Sequence, residues 1–83
     1  MNEIIRKHIE DNAKDILRAD SIESYNRKKG YTRGLIAGFS IADEISEKEY
    51  YEMIDLVEQI EDLYWEQTKT DFASAHRRIF PEQ

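Results

Sequence analysis

The sequence predicts an all-α fold, a compact bundle of three or four helices with a glycine-rich helix at its centre. Three observations carry the expectation. Apolar residues recur at three- and four-residue spacing along almost the whole chain. The single proline, Pro81, is the third residue from the end. The only glycines, Gly30, Gly34 and Gly38, form one helical row instead of marking turns. With no linker or low-complexity stretch, residues 1–83 read as a single helical domain. A chain this short buries only about 60–65% of its unfolded surface, so its core is modest and self-association would help it.

The first helix is expected over Asn2 to Ala19. There Ile5, Ile9, Ala13 and Ile16 form a stripe with Leu17 at its edge, and Arg6, Lys7, Glu10, Asp11, Lys14 and Arg18 fall elsewhere. His8 and Asn12 sit at the rim. Asp20 followed by Glu23 reads as a capping box that opens the second helix. That helix passes from Ile22 and Tyr25 through the basic cluster Arg27, Lys28 and Lys29 to the row Tyr31, Leu35, Phe39 and Ala42. The glycine row shares a face with Ile41 and Ile45. Each helix-interior glycine costs roughly 0.5–1 kcal/mol relative to alanine, and close approach of a neighbouring backbone is the expected compensation. Gly30, Gly34 and Gly38 are therefore taken as helix-packing residues on a helix wrapped by the others.

Ser46 with Glu49 three residues on, preceded by Ile45, is a second capping box and the firmest boundary in the chain. From it Tyr50, Met53, Ile54, Val57, Ile60 and Tyr64 form an apolar stripe with Leu56, Leu63 and Trp65 at its margins. The helix is expected to run to about Thr68. Phe72, Ala75 and Ile79 then continue it or form a short fourth helix, with His76, Arg77 and Arg78 suited to a helix carboxyl end.

Charge is segregated along this third helix. Glu49, Glu52, Asp55, Glu58 and Glu61 recur at every third position, backed by Asp43, Glu44, Glu47, Asp62 and Glu66, with Lys48 the only base. Residues 43–66 therefore carry −9 in a chain whose total is −6, leaving +3 for the remainder. At 1.5 Å per residue the five-acid row spans roughly 18 Å, a length over which a nucleic-acid strand presents several phosphates. Like charges three and four apart repel by a few tenths of a kcal/mol per pair, so a helix shaped by solubility alone would mix both signs.

The binding surface expected from this pattern comprises Glu49, Tyr51, Glu52, Asp55, Glu58, Asp62 and Glu66. The acids would meet a basic protein or ribonucleoprotein surface, with Tyr51 as an aromatic anchor. The opposing reading is a solvated face that neighbours the molecule's own Arg27, Lys28, Lys29 and Arg33. Direct nucleic-acid binding through that basic cluster, with Tyr25 and Tyr31 interleaved, is not expected, because four bases are few beside a −9 helix.

No catalytic residue is assigned and no enzyme activity is expected. His8 and His76 lie far apart in sequence, no serine occupies a nucleophile-elbow context, and no glycine-rich phosphate loop is present. Glu-x-x-Glu pairs arise automatically from a row repeating every third residue. No metal or cofactor is expected, since these carboxylates match no ligand pattern such as the calcium loop. The chain has no cysteine, which removes disulfides and thiolate metal sites from consideration. The longest uncharged run, Gly34 to Ala42, is far below the roughly 20 residues that span a bilayer, and the amino terminus lacks signal-peptide order. The expected compartment is the cytoplasm, with no membrane partner.

The segment Gly30 to Tyr51 (GYTRGLIAGFSIADEISEKEYY) joins a small-residue helix to a serine-capped acidic one. In that arrangement, and in its small size, acidity and lack of cysteine, the chain resembles the inhibitors that phages and mobile elements make against host defence, the anti-CRISPR and anti-restriction proteins. The resemblance implies a non-enzymatic inhibitor that masks a nucleic-acid-binding surface of a host complex. The alternative is a homo-oligomeric structural or regulatory protein, a homodimer included, whose glycine or acidic face is satisfied by its own copies.

Overall fold

A computed structural model describes the backbone of residues 1–79 and the side chains of residues 1–68. The described residues form three α-helices and one 3-10 turn, with no strand: α1 (Glu3–Asp15), the turn Ile16–Arg18, α2 (Ile22–Ile41) and α3 (Glu47–Ile79). No helix among the described residues is long and apolar enough to cross a membrane.

Each helix start has a local cause. Asn2 caps α1, its side chain accepting from the Ile4 amide at 2.7 Å. Ser21, not Asp20, caps α2: its hydroxyl accepts from the Ser24 amide at 3.0 Å, one residue later than the sequence suggested. A serine in extended backbone directly before the helix can reach the amide three residues on, and Asp20 lies one position too early. The Ser46–Glu49 capping box forms in full, Ser46 N–H donating to Glu49 Oε1 at 2.8 Å and Glu49 N–H to Ser46 Oγ at 3.1 Å. From it α3 runs without a break to Ile79, so the separate fourth helix held open above does not occur. The side chains of Phe72, Ala75, His76, Arg77, Arg78 and Ile79, and all of Pro81, lie outside the described residues.

The turn between α2 and α3 explains how the chain reverses. Glu44 N–H donates to the Phe39 carbonyl at 2.9 Å and Asp43 N–H to the Ser40 carbonyl at 3.1 Å, the paired bonds of a Schellman cap. The cap needs a left-handed residue, and Asp43 supplies it with φ 58°. Aspartate tolerates this region better than most residues, but glycine is the usual occupant.

The core gathers Ile9, Ala13 and Ile16 from the first segment, Tyr25 and Ile36 from α2, Ile45 from the turn, and Met53, Val57, Ile60 and Tyr64 from α3. Tyr25 stacks on Tyr64, ring centroids 4.2 Å apart and 13° from parallel, with Trp65 edge-on to both. This cluster joins the start of α2 to the middle of α3.

The position of the glycine row is a correction. α2 buries Ser24, Tyr25, Thr32 and Ile36, and Gly30, Gly34 and Gly38 lie on its exposed side. A Cβ added at any of the three would meet nothing within 4 Å. The glycines therefore do not pack against the rest of the chain, and α2 is not a helix wrapped on all sides. Two physical facts account for the difference. The buried face of α2 is partly polar, with the Thr32 hydroxyl satisfied by donating to the Lys28 carbonyl at 2.9 Å, so its apolar periodicity is weak. The helix also ends at Ile41, so Ile45 belongs to the turn, and Ile41 itself is 86% exposed.

Candidate functional site, the outer face of α3

Met53, Val57, Ile60 and Tyr64 fix the rotation of α3 by facing the core. At about 100° per residue that orientation turns Tyr51, Asp55, Glu58, Asp62 and Glu66 to the opposite side, with Glu52, Gln59 and Leu63 along one margin. All eight are exposed. The face measures about 22 Å from Tyr51 to Glu66 at 1.5 Å per residue.

The structure divides the row of five acids. Its two ends serve the fold. Glu49 accepts from Ser46 within the capping box and also pairs with the Met1 ammonium at 2.5 Å, so the start of α1 is tied to the start of α3. The bond from that ammonium, followed by the Ser46 amide, holds the Glu49 carboxyl at about 2, below its usual 4.5. Glu61 takes a two-pronged pair from Arg33, Nε to Oε1 at 2.9 Å and Nη2 to Oε2 at 3.0 Å, which clamps α2 to α3. Hydrogen bonding to Glu61 raises the Arg33 pKa. Glu49, expected above on the binding surface, is thus a structural residue with only 20% of its side chain exposed.

The middle of the row is different. None of the ion pairs among the described residues engages Glu52, Asp55, Glu58 or Asp62, and Asp55 accepts only from its helical neighbour Gln59, at 2.8 Å. Tyr51 stands 62% exposed at the amino-terminal end of this patch, edge-on to Tyr50 at 5.3 Å. Leu63, 47% exposed, adds an apolar contact at the margin that the sequence reading left outside the site. Its place at the edge of the apolar stripe was the available signal.

The basic cluster forms no ion pair with the middle acids of this face, although the Glu58 charge adds to that of Glu61 in raising the Arg33 pKa. Lys28 turns to α1 and binds Asp15 at 2.5 Å, lowering the Asp15 pKa chiefly through that hydrogen bond. Arg33 is committed to Glu61. Lys29 lies over the Tyr25 ring, its ammonium 5.3 Å from the centroid. Among the described residues no group of three or more His, Asp or Glu side chains is placed to hold a metal ion. His8 lies edge-on to Phe39 at 6.4 Å. What remains is an exposed acidic strip in which Glu52, Asp55, Glu58 and Asp62 enter no ion pair among the described residues, with an aromatic at one end and a leucine at one side, suited chemically to contact cationic side chains. No protein-family model, curated protein or solved structure matches the chain.

Proposed function

We propose that this protein is a non-catalytic binding protein that lays the outer face of α3 on a basic, nucleic-acid-binding surface and blocks it, in the manner of the phage inhibitors of host defence complexes that it resembles. The single observation that carries the reading is that Asp55, Glu58 and Asp62 on the outer face, with Glu52 at its margin, are all exposed and none enters an ion pair within the described part of the molecule. Acids that stabilised the fold would be spent as Glu49 and Glu61 are. Left uncompensated, they repel one another, and a cationic partner relieves that repulsion while accelerating encounter. Tyr51 and Leu63 supply the apolar area that converts a steered encounter into a bound complex.

The test is affinity capture at low salt from a lysate of the natural host, with the Asp55→Lys/Glu58→Lys/Asp62→Lys variant in parallel. Recovery of a basic nucleic-acid-binding protein by the natural chain alone, released by rising salt, supports the reading. Equal recovery by both, or none by either, overturns it.

A further inference from the structure

A cleft of about 240 Å³ lies between α1 and α2, lined by Asn12 and Asp15 of the first helix and Arg27, Lys28, Tyr31 and Thr32 of the second. No residue of α3 lines it, so it is separate from the acidic face and independent of the function proposed there. Part of its lining is fixed by internal bonds. Lys28 Nζ binds Asp15 Oδ2 at 2.5 Å, and the buried Thr32 hydroxyl donates to the Lys28 carbonyl at 2.9 Å. The remaining groups have capacity to spare. Arg27 is the one member of the basic cluster without a partner among the described residues, since Lys28 holds Asp15, Lys29 lies over Tyr25 and Arg33 grips Glu61. Tyr31 is 58% exposed, and its ring meets no other ring or cation among the described residues. Asn12 donates through Nδ2 to the His8 carbonyl at 2.8 Å, which leaves its side-chain oxygen to accept. Charge around the cleft is positive in a chain that is negative as a whole. Arg18, 3.9 Å from Asp15 Oδ1, joins Arg27 and Lys28, against Asp15 and against Glu23 one helical turn before Arg27. Asp11, beside Asn12, is matched by Lys7 at 3.3 Å.

We infer that this cleft binds a single nucleoside monophosphate, with the phosphate on the Arg27 guanidinium and the base against the Tyr31 ring. A guanidinium takes a phosphate through two parallel N–H bonds, and an open phenol ring offers a stacking face to a nucleobase. The two residues are four apart on α2, so they stand on one side of the helix, about 6 Å apart along its axis. Asn12 supplies the acceptor for an exocyclic amine on the base. The volume corresponds to that of about eight water molecules, room for one base with its phosphate left at the mouth. A strand is disfavoured on two grounds. Three of the four bases in the cluster are already engaged, so one guanidinium is left for one phosphate, and a net charge of −6 repels a longer polyanion. An aromatic carboxylate shares the anion and the ring but has no amine for Asn12.

The test is an amide NMR titration of the natural chain with adenosine monophosphate, beside adenosine, inorganic phosphate, uridine monophosphate and benzoate. Adenosine monophosphate should shift the Asn12, Arg27, Tyr31 and Thr32 amides saturably, with a Kd at or below about 1 mM. Adenosine and phosphate alone should each bind more weakly, as should uridine monophosphate, whose base lacks the amine, and benzoate. Arg27→Gln and Tyr31→Ala should each weaken binding about ten-fold with unchanged helicity, because both side chains are exposed, and Lys29→Gln should leave it unchanged. Absence of saturable shifts at about 5 mM adenosine monophosphate would overturn the inference. So would an affinity indifferent to Arg27→Gln, or phosphate or benzoate binding as tightly as the nucleotide. Because neither variant touches α3, capture of a basic partner by the acidic face and nucleotide binding here succeed or fail separately.

Discussion

Replacing Gly30, Gly34 and Gly38 by alanine should stabilise the monomer, which reverses the usual expectation for a small-residue helix face. All three positions lie inside α2 with helical backbone and no positive φ, and a Cβ at each enters open space. Alanine there costs no clash, and it removes the conformational freedom that glycine gives the unfolded chain. Each substitution is worth about 0.5–1 kcal/mol, and the triple variant about 1.5–3 kcal/mol. For a domain of this size that corresponds to a rise in Tm on the order of 10 °C. The assay is thermal unfolding followed by far-ultraviolet circular dichroism at low protein concentration, so that association does not contribute. Fluorescence of Trp65, the only tryptophan, provides a second probe because it packs edge-on against Tyr25 and Tyr64. A fall in Tm for any of the single variants would mean that the added methyl meets packed atoms, and would refute the outward placement of the row.

Four further outcomes follow from the same geometry. Asp43→Gly should stabilise the chain by about 1 kcal/mol, because φ 58° is a residue conformation that glycine adopts without strain, and urea unfolding would measure it. Arg33→Met should destabilise by about 1 kcal/mol, a value kept low because the Arg33 side chain is 38% exposed, whereas Glu58→Gln should change stability by less than about 0.5 kcal/mol; paired chemical denaturation curves compare them. Stability should decline as pH falls from about 4.5 toward about 2. Over that window the unfolded chain binds a proton at Glu49 that the folded chain refuses, and Glu49→Gln should flatten the acid-unfolding profile there. Asp55→Lys/Glu58→Lys/Asp62→Lys should leave helicity and Tm nearly unchanged, since none of these side chains joins the core or an ion pair among the described residues.

How far the sequence could be read depended on how local the cause was. The Ser46–Glu49 box was legible because it involves residues three apart whose types state their roles. The rotation of α3 was legible because its apolar stripe and its acids segregate strongly around the helix, which put Tyr51, Asp55, Glu58, Asp62 and Glu66 on one face from the sequence alone. α2 was not, because apolar and small residues occur all round it and its buried face includes Ser24 and Thr32. Reasoning from the cost of glycine then placed the row in the core, when the chain leaves that cost uncompensated within the monomer. The structural use of Glu49 and Glu61 was hidden for another reason. Their partners, the Met1 ammonium and Arg33, are brought near only by the fold.

The central claim, that the outer face of α3 occupies a surface built for nucleic acid, is tested most directly by competition. A captured partner would be loaded with a fluorescently labelled oligonucleotide and titrated with the natural chain and with the Asp55→Lys/Glu58→Lys/Asp62→Lys variant, while anisotropy is followed. The account predicts that the natural chain displaces the oligonucleotide, less effectively as salt rises, and that the variant does not. Binding of the natural chain without displacement, or equal displacement by both chains, would contradict it.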